Sequence, residues 1–287
     1  MKHLFFLLFL TVNFLSVSAQ ETSLMKIGIL PVKYQSADQS DAANQVTNQL
    51  YDNFTDSKRA EIINREFFGD LQNEKFLTSE IDFVDGETLD KTKSKGAKYL
   101  LVAKVATCKV EEKVTQVPGT GTKNVTYECF LNVGLRLINV ETGVTDQSYT
   151  LQNEKPMGGF VSFGGKSTAS EAIRAAVGKL DRDVKKFMDA YFPIEAEVVK
   201  IKETSRDKAT VVIVGMGTGD GVKQKQNFIV KEKTMVRGEP YYEEIGEVEI
   251  SEINGKSLST AKVVKGGKEI LVKMSQPNPS LVITTKN

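Results

Sequence analysis

A chain of 287 residues with 40% apolar side chains, 26% charged ones and a net charge of +1 has room for two ordinary domains folded around real cores, which excludes global disorder, collagen and coiled coil. Its one histidine is His3, so beyond the first residues no imidazole is present to act as base, metal ligand or pH switch, which removes Ser-His-Asp, Cys-His and most zinc chemistry. With 38 basic residues against 37 acidic ones, nothing draws the chain to nucleic acid.

Residues 1–19 start with Lys2, run apolar from Leu4 through Leu10 to Leu15, and end in Val17-Ser18-Ala19. That is the pattern of a secretory signal peptide cleaved before Gln20. The apolar run is well short of the roughly 20 residues of a spanning helix. No cysteine stands at the cleavage point to carry a lipid. Two cysteines, Cys108 and Cys129, lie in a chain read as exported, where a disulfide persists. If the segment between them is a hairpin turning at Pro118-Gly119, their numbers place them directly opposite each other, and a disulfide and two free thiols both stay open.

Met25 to Val32 reads as a nearly all-apolar strand buried on both faces. Ser36-Ala37-Asp38-Gln39 offers a capping box, and Ala43, Val46, Leu50 and Phe54 recur at helical spacing, so a helix is expected over about 38–55. A strand at 61–64 follows, then a helix capped by Asn64 and reaching about Lys75, and a short one near 86–94. Tyr99 to Val114 and Val125 to Val140 are long β-favouring runs around a turn signal at 118–121, with a third strand at about 144–152. Thr168-Ala-Ser-Glu171 opens a long helix whose apolar positions, from Ile173 to Tyr191, keep period to the stop at Pro193. These pieces make an α/β domain, a mixed sheet covered by helices, over residues 20–193.

From Ile194 to the end at 287 the pattern is β only. Short alternating strands are expected at 195–202, 209–214, 227–232, 244–253, 259–264 and 269–273, with a last one near Leu281, which reads as a small barrel or sandwich.

Two glycine-rich segments imitate nucleotide loops. Gly215-Met-Gly217-Thr-Gly219-Asp-Gly221 lacks the third glycine at dinucleotide spacing and leads into a strand, so it has no helix N-terminus for a pyrophosphate and reads as turn glycines. Gly159 to Ser167 ends in Gly-Lys-Ser before a helix, but five residues instead of four separate Gly159 from Gly165 and the approach is polar. No nucleotide, cofactor or metal is expected. Asn53-Phe-Thr55 and Asn124-Val-Thr126 match the glycosylation pattern. The many acidic residues read as solvated faces, no constellation reads as catalytic, and no enzyme is expected.

Asn64-Arg65-Glu66-Phe67-Phe68-Gly69-Asp70-Leu71-Gln72-Asn73-Glu74-Lys75 resembles the strand-to-helix segment of the curli production assembly/transport (CsgG) family, in which an Arg opens the helix and an Asn-Glu-basic triplet closes it. Leu135-Arg136-Leu-Ile-Asn139-Val140-Glu-Thr142-Gly143 is similar to that family's strand and turn, and Gly96-Ala97-Lys98-Tyr99-Leu100 to another of its strands, so the likeness covers about 25–190. It implies structural roles for Arg65, Asn73, Glu74, Arg136, Asn139, Thr142 and Gly143. It also implies that the loop of Tyr34, Gln35 and Ser36 lines a constriction or contact surface. In channel-forming members, subunits form a ring and each lends two hairpins to a shared barrel. Here the segments at the hairpin positions, 109–128 and 150–168, read as short and polar, without the alternating apolar residues of a membrane strand. The α/β domain also resembles that of lipoprotein activators of cell-wall synthases. The C-terminal domain resembles the small β-domain of a flagellar assembly protein.

The expectation is an exported, non-catalytic envelope protein in the periplasmic space or at the periplasmic face of the outer membrane. It acts in outer-membrane assembly or secretion by self-association or by binding envelope proteins, with peripheral contact to the outer membrane. The alternative is a subunit of an oligomeric outer-membrane channel.

Overall fold

The computed structural model describes residues 24–63, 90, 93, 95–116, 119, 121–153 and 165–286. The expected leader, the helix expected from Asn64 with Arg65, Asn73 and Glu74, most of the segment 86–94 and residues 158–164 lie outside them.

The architecture is mixed α/β, a helix-covered sheet together with a small closed barrel. In the sheet, β1 (Lys26–Ile29) pairs in parallel with β2 (Glu61–Ile62) and β3 (Tyr99–Gln116), and β3, β4 (Lys123–Asn139) and β5 (Thr145–Gln152) run antiparallel, giving the order β2-β1-β3-β4-β5. Between β1 and β2, α1 (Ser40–Ser57) buries Ala42, Ala43, Val46, Leu50 and Phe54, the spacing that puts one apolar stripe against the sheet. A 3₁₀ turn over Ala37–Gln39 precedes it, and the Ser36 side chain makes no cap; Gln39 accepts from the Gln35 N–H instead.

The helix expected over 168–191 is two, α2 (Ala169–Lys179) and α3 (Asp181–Tyr191). The Leu180 N–H bonds to Val177 and the Asp183 N–H to Leu180, three-residue closures that tighten the backbone at Leu180 while the apolar period runs on. Phe187 and Phe192 pack with Phe54 and Tyr149 in this core.

A second core begins at Ile194. The strands β6 (Glu195–Ser205), β7 (Lys208–Val214), β8 (Asn227–Val236), β9 (Glu239–Ile253), β10 (Ser259–Lys265) and β11 (Leu281–Thr285) close in the order β10-β7-β6-β11-β8-β9. The strand expected at 269–273 is a helix, α4 (Gly267–Met274). Ile270, Leu271 and Met274 turn to the barrel core at helical spacing, and Val272 faces solvent. Gly266, at φ +74°, starts the helix where a Cβ would lie 1.9 Å from the Ile245 carbonyl oxygen.

Within the run Gly215 to Gly221, a 3₁₀ turn at Thr218–Asp220 helps tie the barrel to α1. Thr218 and Gly219 donate their N–H groups to the Gly255 and Lys256 carbonyls, and Lys58 Nζ donates to the Thr218 carbonyl at 2.8 Å. Gly221 has φ +71° and sits so close to α1 that a Cβ would lie 1.8 Å from the Ser57 carbonyl oxygen. Gly221→Ala is expected to cost about 1–3 kcal/mol, from left-handed strain and the clash together. Gly215→Ala, whose nearest neighbour is 3.6 Å away, should change little; denaturant melts of the two variants check this.

Glu247 on β9 takes Lys265 at 2.6 Å and Lys286 at 3.0 Å, so the far end of β11 is tied to two other strands. The Lys265 hydrogen bond, then that of Lys286, holds the Glu247 carboxyl below the ordinary carboxylate range. A pKa lower in the folded chain than in the unfolded one gives stability that is complete above the unfolded value and drains away as pH falls toward the folded one. Glu247→Gln is therefore expected to lose less melting temperature than the wild type between neutral pH and pH below the ordinary carboxylate range.

Candidate functional site

β3 and β4, of 18 and 17 residues, pair down to Gln116 opposite Lys123. The segment 109–128 is therefore a long paired hairpin, not the short one expected, and it carries the two strands well past the last core pair. Gly119 (φ +85°) and Gly121 (φ +67°) lie in its turn.

Ala106 is a β-bulge: Val105 pairs with Val133 and Thr107 with Asn132, leaving Ala106 unpaired and exposed. The extra residue switches which parity of β3 faces the helices. Leu101, Ala103 and Val105 face that core before it, and Cys108 and Val110 after it. Along the arm, Val110, Glu112 and Val114 consequently share one face with Val125, Tyr127 and Cys129. The other face carries Lys109, Glu111, Lys113 and Glu128, joined in the pairs Lys109–Glu111 at 2.7 Å and Lys113–Glu128 at 2.6 Å.

The turn register, with Gln116 opposite Lys123, also offsets the cysteines from the expected pairing. Cys108 pairs with Leu131 and Cys129 with Val110, so they are diagonal neighbours and not directly opposite. They are free thiols, half-buried, with sulfurs 3.9 Å apart. The hydrogen bond to Cys129 draws the Cys108 thiol below its ordinary range, against burial and the Asp38 and Asp41 carboxylates; the same bond, with burial, pushes Cys129 up.

Asn153 completes this base and was hidden in a polar stretch of sequence. β5 ends at Gln152, and the buried Asn153 side chain replaces the next ladder step: its Oδ1 accepts from the Leu131 N–H at 2.6 Å and its Nδ2 donates to the Cys129 carbonyl at 2.7 Å. The chain rejoins β4 further out, where Lys166 and Tyr127 exchange N–H···O bonds of 2.8 and 2.9 Å. Thr168 then caps α2 through the Glu171 N–H, and the Glu171 carboxylate accepts from Ser167.

The structure brings some of the sequence-derived residues together and separates others. Tyr34 packs on the helix-side core, Gln35 and Ser36 are exposed, and this loop follows Lys33, which pairs with Lys104 just before the bulge. It therefore lies near the arm base. Asn139, Thr142 and Gly143 are at the opposite end of β4, where they build a turn: Asn139 Oδ1 accepts from the N–H groups of Glu141 and Thr142, the Thr142 hydroxyl from Val144, and Gly143 takes φ +70°. Arg136 lies on the other sheet face, in a shallow depression of about 400 Å³ with Gly134, Ser148 and Thr150. Among the described residues no group of three His, Cys, Asp or Glu side chains is placed to hold a metal, and no helix is long and apolar enough to cross a membrane.

Neither a protein-family model nor a curated protein matches the chain. Among solved structures, the PelC dodecamer from Paraburkholderia phytofirmans is 15% identical, with 56% of this chain and 87% of that one covered at a TM-score of 0.31. A lipoprotein from Neisseria meningitidis is 11% identical, covering 57% and 97% at 0.35. A hypothetical protein from Chlamydia trachomatis is 13% identical, covering 59% and 98% at 0.34. At such TM-scores these likenesses assign neither fold nor function.

Asn153→Ala would leave the Leu131 N–H and the Cys129 carbonyl without these partners in a buried setting, and is expected to cost about 2 kcal/mol or more. Urea melts, with amide exchange at Leu131 as a local probe, check it.

Proposed function

We propose that the chain is an exported, non-catalytic envelope protein that works by binding, through self-association or by docking on other envelope proteins, with the β3–β4 arm and the loop at its base as the contact surface. The arm itself carries this reading. A paired hairpin that leaves its core holds Val114, at 54% exposure, directly opposite Val125, at 38%, next to Tyr127, an apolar cluster presented on a projecting surface. The leader pattern in residues 1–19, the absence of a catalytic constellation from the sequence pattern and the resemblance of the 135–143 segment to an envelope assembly family support it.

A channel subunit is the second reading, favoured by the arm's length and its two unlike faces. Its apolar stripe argues against this. Val110 to Val114 covers about 13 Å at ~3.3 Å per residue, roughly half of the ~25 Å band a membrane barrel presents, and Glu112 interrupts it.

The native mass of the protein recovered from its source envelope separates the two. Release by osmotic shock, as a monomer or a small complex that Val114→Glu weakens, is the expected outcome. A ring of many subunits recovered only in mild detergent would overturn binding in favour of the channel.

A further inference from the structure

The two thiols have a geometry that neither proposed role requires. They are on one face of one hairpin, on adjacent strands, with Sγ atoms 3.9 Å apart. A disulfide needs about 2.0 Å between the sulfurs, and diagonal neighbours, typically about 7–8 Å apart along the strands, reach it when the backbone gives as well as the side chains. The surroundings make this movement one-sided. Cys129 is held by its carbonyl, which accepts from Asn153 Nδ2. Cys108 is two residues from the unpaired Ala106, where the ladder has already given way and the strand bends most easily. Both side chains are half-buried, packed against the helix-side core but open to a small reagent.

We propose that Cys108 and Cys129 are a redox-closable latch at the root of the arm, open in this structure and closed by a disulfide-bearing oxidant. The reaction balances in two exchanges. The Cys108 thiolate attacks one sulfur of the oxidant R–S–S–R and forms a mixed disulfide, releasing RSH after proton uptake. Cys129, having lost its proton, attacks the Cys108 sulfur, forms the Sγ–Sγ bond and releases the second RSH. The protein loses two electrons and two protons, and the oxidant is reduced to two thiols. Cys108 is the sulfur suited to attack first, since its neighbour's hydrogen bond favours its thiolate.

Closure turns the hairpin between the cysteines, which are 21 positions apart, into a covalent loop pinned beside the bulge. The open form depends on ladder hydrogen bonds and the Asn153 clamp to hold the arm at its base. The latch therefore sets how freely the arm opens and leaves the rest of the sheet alone. It stands independently of the binding role.

The test uses the full chain equilibrated with mixtures of reduced and oxidised glutathione, quenched by alkylation and weighed intact. Both thiols are expected to disappear together in one transition, in a monomer that carries no glutathione. Amide exchange in 107–116 and 123–131 should slow by about tenfold or more on oxidation, with exchange in β8 and β9 unchanged. Cys129→Ser should instead keep one glutathione on Cys108. Three results would overturn the latch: thiols that stay alkylatable under mixtures that close the pair in the denaturant-unfolded chain, glutathione adducts or linked dimers in place of the internal bond, or closure that leaves arm exchange unchanged. The oxidised and reduced wild type decide the matter even if a cysteine variant folds poorly.

Discussion

The pairing of β3 with β4 organises everything around it. These strands are central in the sheet: β1 and β2 reach it only through β3, and β5 only through β4. The same pair supplies most of the apolar wall on which α1, α2 and α3 rest, through Leu101, Ala103, Val105, Leu131, Val133, Leu135 and Leu137. A central pair must be in register, because a slip of one residue would send every one of these side chains to the opposite face. One residue is out of register, Ala106, and it lies where the pair stops being a core and becomes an arm. The bulge keeps the apolar parity on the helix side beyond the sheet, so the stripe that packs the interior continues outward onto an exposed projection.

Around that point the chain assembles a small junction from three distant segments. The loop after β1 arrives through Lys33, the end of β5 through Asn153, and the start of α2 through Lys166 and Thr168. Backbone groups left over where strands diverge have to be satisfied. Here a side-chain amide does this by imitating a peptide, accepting from Leu131 and donating to Cys129.

Much of the fold was legible because burial imposes a period. Ala43, Val46, Leu50 and Phe54 mark α1, and the all-apolar Ile27 to Val32 marks a strand covered on both faces. What escaped the sequence shares one cause, that a single backbone event leaves no trace in composition. The apolar period from Ile173 to Tyr191 passes through Leu180 without a gap, so two helices look like one. Ile270-Leu271-Val272 favours a strand by residue type, yet Ile270, Leu271 and Met274 pack on the barrel core, and a helix presents those on one face. The hairpin closes with Gln116 opposite Lys123, a register two residues away from one symmetric about Pro118-Gly119, and that makes the expected opposite cysteines diagonal. In the candidate site, Tyr34 and the two cysteines were visible as unusual residues, whereas Asn153 stood among polar neighbours and only its burial sets it apart. Asn139, Thr142 and Gly143, which carried the family likeness, are accounted for by turn chemistry.

The close approach of Gly221 to the end of α1 has a mechanical meaning. Over 18 residues a helix rises about 27 Å and behaves as a strut. One end of α1 bears on the barrel at Ser57; the other brings Asp41 within hydrogen-bonding reach of Ser170, beside the cysteine pair. Barrel and arm base are thus the two footings of a single beam. Tilting the barrel has to break its contact at Gly221 or lift the helix from the sheet, and in the second case the movement arrives at the root of the arm.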